Sequence, residues 1–166
     1  MPRHSILSLG VAAALIGSIA AASAKDSPSQ KFIMKAVEGN LAEAQMGQLA
    51  QQNGASDGVR SFGQMLQQDH SAAAQKSSAV ASQLGVTPPT EPNKKQKAMH
   101  DKMAKLSGDK FDKAFASEMV KDHKKDIADY KKAAKMQNDP AGAYANDTLP
   151  TLEKHLETAQ SLTKKR

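Results

Sequence analysis

The 166-residue sequence contains no cysteine, and this absence removes several classes of protein at once. Disulfides, thiol catalysis and thiolate metal ligands are excluded, and so is a lipid-modified cysteine at the start of a mature lipoprotein. The sequence also has no Gly-rich phosphate loop and no visible set of nucleophile, base and orienting group. An ordinary enzymatic activity is therefore not indicated.

Arginine and aromatic residues are scarce, although the chain is basic with a formal net charge of +6. Only three of the 23 basic residues are arginine, the residue that does most specific recognition of bases and phosphates. Four Phe, two Tyr and no Trp leave little for the stacking of bases. We interpret the lysines as a solvated surface and do not expect nucleic acid as a partner.

An uncharged apolar run occurs only near the N-terminus, over residues 6–21. A short basic start precedes it, and Ala22-Ser23-Ala24 follows as a cleavage site of small residues. This order is typical of a secretory signal peptide, whereas a transmembrane anchor is longer and less rich in Ala and Gly. We expect residues 1–24 to be removed, so that residues 25–166 form a single periplasmic domain without a transmembrane anchor.

Helix signals are dense along the rest of the chain, and no segment alternates as a β-strand does. The pattern predicts four long helices and a short lysine-rich helix before the third long one. Short turns and one longer connection at residues 86–93 favour an all-α four-helix bundle. Pro150 is expected to kink or break the last helix. The predicted helices cover residues 28–52, 57–84, 94–106, 110–137 and 141–163.

Each of the four long helices places one potential metal ligand on or beside its apolar face, counting about 100° per residue. Helical bundles build metal and cofactor sites from such inward side chains. Asp69 and Asp122 each precede a histidine and point about 100° away from it, so they suit hydrogen bonds to the outer nitrogens of histidines on other helices. The four inward residues are Glu43, His70, His123 and His155.

Two interpretations of these inward residues stay open. In one, the histidines and carboxylates form a hydrogen-bonded network that fixes the register of the helices, since a buried polar group without a partner is costly. In the other, Glu43 and the three histidines bind one metal ion. Three imidazoles and one carboxylate suit a single Zn or Cu ion better than an Fe or Ni ion.

Five segments between residues 30 and 162 carry a family resemblance. They are Glu43 with Gly47-Gln48-Leu49-Ala50, Phe62 through Asp69-His70, Phe111-Asp112, Met119-Val120-Lys121-Asp122-His123 and Leu149-Pro150-Thr151-Leu152-Glu153-Lys154-His155-Leu156. On these segments the chain resembles the domain of unknown function 4142 family, exported bacterial proteins with a ferritin-like helical bundle. The resemblance implies the fold and the export, and it implies no established activity.

The ferritin-like resemblance suggests di-iron chemistry, but the sequence argues against it. A di-iron bundle needs Glu-x-x-His on two helices and further glutamates. The residues three positions before the three histidines are Gln67, Val120 and Leu152, none of them a carboxylate. We therefore expect a periplasmic binding or envelope-stress protein with a buried His/Asp/Glu cluster. The alternative is a mononuclear metal-binding protein or metalloenzyme, and self-association stays open.

Overall fold

The computed structural model describes residues 26–164, which form five helices. The signal peptide expected over residues 1–24 lies outside the described residues. None of these five helices is long and apolar enough to cross a membrane. The helices are α1 (Pro28–Asn53), α2 (Asp57–Gln83), α3 (Lys94–Ala104), α4 (Gly108–Ala133) and α5 (Pro140–Lys164).

Side-chain caps explain where two of the helices begin. At the start of α1, Ser27 Oγ accepts a hydrogen bond from the backbone N–H of Gln30, whose side chain accepts one from the backbone N–H of Ser27. Asn93 and Gln96 make the same reciprocal pair at the start of α3. Each pair satisfies two backbone groups that would otherwise lack partners. The starts predicted from the sequence for these two helices are confirmed.

The connection between α2 and α4 runs along the whole length of α1. Near the start of this connection, Gln30 donates to the carbonyl of Leu84 at 2.9 Å, and at its far end Asn53 donates to the carbonyl of Leu106 at 2.8 Å. Because Gln30 and Asn53 lie at opposite ends of α1, α4 begins beside the turn between α1 and α2. The predicted four-helix bundle, with a short helix before the third long one, is confirmed. It has one long crossover connection, as ferritin-like bundles have.

The predicted end of α4 and a break of α5 at Pro150 are wrong, whereas a kink at Pro150 stays a prediction. α4 ends at Ala133 rather than at residue 137, because the chain turns back sharply into α5. Asn138 has a φ of 56°, and Gly142 lies so close to the turn that a Cβ on it would come within 2.1 Å of the carbonyl oxygen of Met136. α5 continues through Pro150, so the proline does not break the helix.

α1 and α2 approach closely where two glycines face each other. A Cβ on Gly47 would lie 2.5 Å from the carbonyl oxygen of Gly63 and 2.6 Å from the backbone nitrogen of Gln67. Only glycine allows two backbones to come this near. Glu43 lies one turn before Gly47 on α1, and His70 lies about one turn after Gln67 on α2, so the crossing brings these two polar side chains together.

Apolar residues fill the bundle above and below this level. One cluster contains Phe62, Phe111 and Phe115, and the rings of Phe111 and Phe115 stack with their centroids 5.5 Å apart. The other cluster lies toward the opposite end and includes Ile33 and Tyr130. The polar residues between the two clusters are therefore enclosed by apolar side chains on both sides.

Candidate metal centre

The four inward residues predicted from the sequence meet at the centre of the bundle. They come from four different helices: Glu43 from α1, His70 from α2, His123 from α4 and His155 from α5. Glu43 is 6% exposed, and none of the three histidines is more than 3% exposed. The fold therefore places four groups that can bind a metal in an interior shielded from solvent.

The atoms that face one another have spacings close to those around a single ion. Glu43 Oε2 lies 2.9 Å from His70 Nε2 and 3.4 Å from His123 Nε2. His123 Nε2 lies 3.3 Å from His155 Nδ1, and one nitrogen from each histidine falls within 4.8 Å of the other two. A tetrahedral Zn ion with bonds of about 2.0–2.1 Å holds its ligand atoms about 3.3 Å apart. The three histidines form the compact group, and Glu43 reaches two of them.

Each histidine uses its outer ring nitrogen as a hydrogen-bond donor to an oxygen atom. Because a neutral imidazole carries one hydrogen, the inner nitrogen of each ring then presents a lone pair to the centre. Metal-binding histidines in proteins are held in this way, and the outer bond fixes both the tautomer and the ring orientation. The bonds are His70 Nδ1 to Asn40 Oδ1 at 2.9 Å, His123 Nδ1 to the carbonyl of Met119 at 3.0 Å, and His155 Nε2 to Asp69 Oδ2 at 2.9 Å.

Two buried atoms at the centre lack a hydrogen-bond partner. Glu43 Oε2 and His70 Nε2 lie 2.9 Å apart as an ion pair, and within the described residues neither atom makes a hydrogen bond of good geometry. A buried polar atom without a partner costs about 1–3 kcal/mol. His123 Nε2 and His155 Nδ1 also face each other at 3.3 Å, where two lone pairs repel. A cation at the centre, either a proton or a metal ion, relieves both problems.

The charges in the cluster shift pKa values in different directions. Burial favours a neutral Glu43, but the electrostatic interactions with His123 and His70 outweigh burial and lower the pKa of Glu43 to about 2. Burial also opposes a charge on His70, yet the neighbouring Glu43 raises its pKa. Burial lowers the pKa of His155 to about 4 despite the hydrogen bond to Asp69. In a metal-free cluster these shifts keep Glu43 charged and His155 neutral, and they favour the protonated form of His70.

The two aspartates expected beside the histidines differ in their contacts. Asp69 on α2 accepts the hydrogen bond from His155 on α5, a histidine of another helix. Asp122 is half-buried, and in the described part of the chain it makes no hydrogen bond to any of the three histidines. Burial and neighbouring carboxylates raise its pKa to about 7. The outer nitrogen of His123 donates to the carbonyl of Met119 in its own helix, so the role expected of Asp122 stays a prediction.

Three further residues take part in the network, although the sequence pattern had not pointed to them as site residues. Asn40 Nδ2 lies 2.8 Å from Tyr144 Oη and 3.4 Å from Ser77 Oγ, while its Oδ1 accepts from His70. In the sequence, a buried role for Asn40 is indicated by its position in the middle of the apolar face of α1. Ser77 and Tyr144 give no such signal, because serine is common on helix surfaces and tyrosine is common in cores.

One family model matches most of the chain. Its description is a domain of unknown function, DUF4142, and the match covers residues 16–162. The chain belongs to this family. The family resemblance found in the sequence is therefore confirmed, but a DUF4142 domain has no activity in its description. No curated protein and no solved structure matches the chain.

Proposed function

We propose that this DUF4142 protein binds one transition-metal ion, Zn or Cu, between Glu43, His70, His123 and His155. The observation that carries the proposal is the direction of the three imidazole rings. Each outer nitrogen donates to an oxygen atom, and the inner nitrogens face a common centre within 4.8 Å of one another. The unpartnered Glu43 Oε2 lies beside two of these nitrogens and supplies a fourth ligand with a negative charge.

The donor set favours a single ion over a di-iron pair. Two irons need several bridging carboxylates. Within residues 26–164, Glu43 is the only carboxylate that lies within ion-pair distance of an inner histidine nitrogen. Imidazole-rich sites suit Zn and Cu, whereas sites rich in carboxylates suit harder ions.

The proposed role is to hold the metal rather than to catalyse a reaction. Catalytic Zn sites keep one position open for water or substrate, whereas sites with four protein ligands are structural. Here all four side chains are buried, with Glu43 the most accessible at 6%. Because these side chains are buried, the helices have to separate before a bulky substrate can reach an ion in this position.

The competing function is a purely structural one, in which protons alone occupy the centre. The opposite pKa shifts of Glu43 and His70 favour it, since a buried carboxylate–imidazolium pair needs no metal. Such a network fixes helix register, and it predicts a protein that is folded and functional without metal.

Elemental analysis of the protein purified from its native compartment separates these two functions. If the four residues form a single site, we expect about one Zn or Cu ion per chain. We also expect the metal to be lost in each of the variants His70→Ala, His123→Ala and His155→Ala. His100→Ala is the matched control, because His100 lies on α3 and, within residues 26–164, its only ion pair is a 3.9 Å approach to Asp101. Metal far below one ion per chain in the wild type overturns the metal proposal and leaves the structural one.

We further propose that the protein acts in the periplasm after removal of residues 1–24. The supports are the apolar run over residues 6–21 and the Ala22-Ser23-Ala24 site that follows it. Mass spectrometry of the protein from a periplasmic fraction is expected to find a chain that begins at Lys25. A full-length chain retained in the cytoplasmic fraction contradicts export. The envelope-stress role expected from the sequence stays a prediction.

A further inference from the structure

Asn40 connects His70 to a second set of buried polar groups. The residue lies on α1 and is 3% exposed. Its Oδ1 lies 2.9 Å from His70 Nδ1, and its Nδ2 faces the hydroxyls of Ser77 on α2 and Tyr144 on α5. Because both ends of the amide have partners, the orientation of this one side chain affects what His70 can do.

Ser77 determines which way the Asn40 amide faces. Ser77 is fully buried, and its hydroxyl donates to the carbonyl of Ala73 at 2.8 Å. Only lone pairs of Ser77 Oγ are then left for Asn40, and these accept from an N–H but repel a carbonyl oxygen. The NH₂ group therefore faces Ser77 and Tyr144, and Oδ1 faces His70.

Tyr144 takes the second hydrogen of the amide. Its hydroxyl lies 2.8 Å from Asn40 Nδ2 and 3.4 Å from the carbonyl of Ala73, to which it donates. Both hydroxyls that accept from Asn40 thus direct their own hydrogens to the same backbone carbonyl. Asn40 thus donates to two hydroxyls, and each of them donates onward to this carbonyl. The Tyr144 hydroxyl also lies 3.5 Å from that of Tyr130, at the edge of hydrogen-bond distance.

We propose that Asn40, oriented by Ser77 and Tyr144, is a positioning residue that sets the tautomer of His70 for metal binding. An amide oxygen can accept a hydrogen bond but cannot donate one, so Nδ1 carries the hydrogen of the neutral ring and Nε2 presents its lone pair to the centre. With the amide reversed, the hydrogen would sit on Nε2, in the ligand position and facing Glu43. The inference rests on the proposed metal function, but the tautomer itself is measurable without metal.

The first test measures the tautomer in the metal-free protein. Long-range ¹H–¹⁵N spectra are recorded under alkaline conditions in which the His70 ring is neutral. We expect the Nδ1–H tautomer in the wild type, and a shift toward Nε2–H in Asn40→Leu. Asn40→Asp is expected to restore Nδ1–H, because a carboxylate still accepts from it. A wild-type His70 in the Nε2–H form, or one unchanged in Asn40→Leu, overturns the inference.

Two further variants guard against a general loss of structure. Ser77→Ala leaves Asn40 in place and removes the group that orients it, so a mixture of the two His70 tautomers is expected even if Asn40→Leu does not fold. Asn53→Leu is the matched control, since Asn53 lies about 20 Å further along α1 and bonds to the carbonyl of Leu106. It is expected to leave the His70 signals unchanged, and a tautomer shift in this control contradicts a local effect of Asn40.

The second test measures Zn²⁺ affinity by competition with a chromophoric chelator. Loss of an outer partner of a metal-binding histidine weakens binding about 10- to 100-fold, and we expect this for Asn40→Leu, with recovery in Asn40→Asp. A wild type that binds no Zn²⁺ but shows the Nδ1–H tautomer removes the proposed function and keeps the tautomer assignment. Full Zn²⁺ affinity in a folded Asn40→Leu variant overturns the positioning role.

Discussion

His155 and Asp69 face each other across α5 and α2, with Nε2 of the histidine 2.9 Å from Oδ2 of the aspartate. The histidine side chain is fully buried, whereas the aspartate side chain is 39% exposed. The pair therefore joins the buried centre to the solvent side of the bundle. The carboxylate holds the hydrogen of His155 on Nε2 and leaves Nδ1 to face the other histidines.

Replacing Asp69 with alanine is expected to weaken Zn²⁺ binding about 10- to 100-fold, because His155 loses the acceptor that sets its tautomer and orientation. Competition with a chromophoric chelator measures the change. The fold is expected to survive, since part of the Asp69 side chain already contacts water. Asp129→Ala is the control, because Asp129 is exposed and pairs with Lys125 on its own helix. An equal loss of affinity in that control would contradict a specific role of Asp69.

Replacing His123 with alanine is expected to destabilise the metal-free protein by about 2–4 kcal/mol, since it creates a cavity and leaves a buried carboxylate less well compensated. His123 is fully buried and lies 3.4 Å from Glu43 Oε2. Urea unfolding in the presence of a chelator gives the free energy directly. His100→Ala, on the partly exposed α3, is expected to change stability by less than about 0.5 kcal/mol. A His123→Ala protein as stable as the wild type contradicts the buried network.

Titration of three residues of the cluster is expected to lower the stability of the metal-free protein at acidic and at alkaline pH. The folded-state pKa of Glu43, about 2, lies below its ordinary value of 4.5, so its contribution is present above pH 4.5 and is lost as the pH falls toward 2. His155 adds to the acid loss, because its pKa of about 4 lies below 6.5 and protonation between these values favours the unfolded chain. His70 has a raised pKa, so its contribution is complete below pH 6.5 and is lost as the pH rises through that raised value.

Urea unfolding at a series of pH values tests this profile, with a chelator present throughout. In Glu43→Gln, the alkaline loss of stability is expected to disappear, because a neutral amide no longer favours the charged form of His70. Asp122 opposes the acid loss, because its pKa, raised to about 7, makes protonation over the same range favour the folded chain. The alkaline side therefore decides, and an alkaline loss as large in Glu43→Gln as in the wild type contradicts the coupling of His70 to Glu43.

Two glycines of α1 are expected to respond to alanine with opposite signs. Gly47→Ala is expected to cost about 1–3 kcal/mol, because the new Cβ meets the backbone of α2 and the helices must move apart. Gly39→Ala in the same helix has nothing within 4 Å of its Cβ. It is expected to stabilise the protein by about 0.5–1 kcal/mol through helix propensity. Denaturant midpoints measure both, and a destabilising Gly39→Ala or a neutral Gly47→Ala would show that the packing argument is wrong.

Much of the fold was predictable because the signals for it are local. The start of α1 depends on Ser27 and Gln30, and the start of α3 depends on Asn93 and Gln96, pairs that are only three residues apart. The inward direction of the histidines follows from helical periodicity, which needs only one helix at a time. By contrast, the early end of α4 depends on contact with Gly142 of the next helix, which no local pattern contains.

The candidate site was predictable in its members but not in its connections. His155 takes Asp69 as its acceptor, whereas His123 uses the carbonyl of Met119 and leaves Asp122 without a histidine partner. The apolar position of Asn40 hinted at a buried role. Its partners could not be inferred, because they lie on two other helices.

The sequence by itself determined the helices, the family and the four inward polar groups. Caps and the 3.6-residue period act within a few residues, so they are present in the order of the amino acids. Tertiary structure alone decided which oxygen each histidine holds and how near Glu43 comes to His70. Those contacts depend on the rotation and register of packed helices, which the close approach of Gly47 to Gly63 and the long crossover set. Only that packing brings polar atoms from four separate helices together, with Glu43 Oε2 2.9 Å from His70 and 3.4 Å from His123, and the three histidine nitrogens within 4.8 Å of one another.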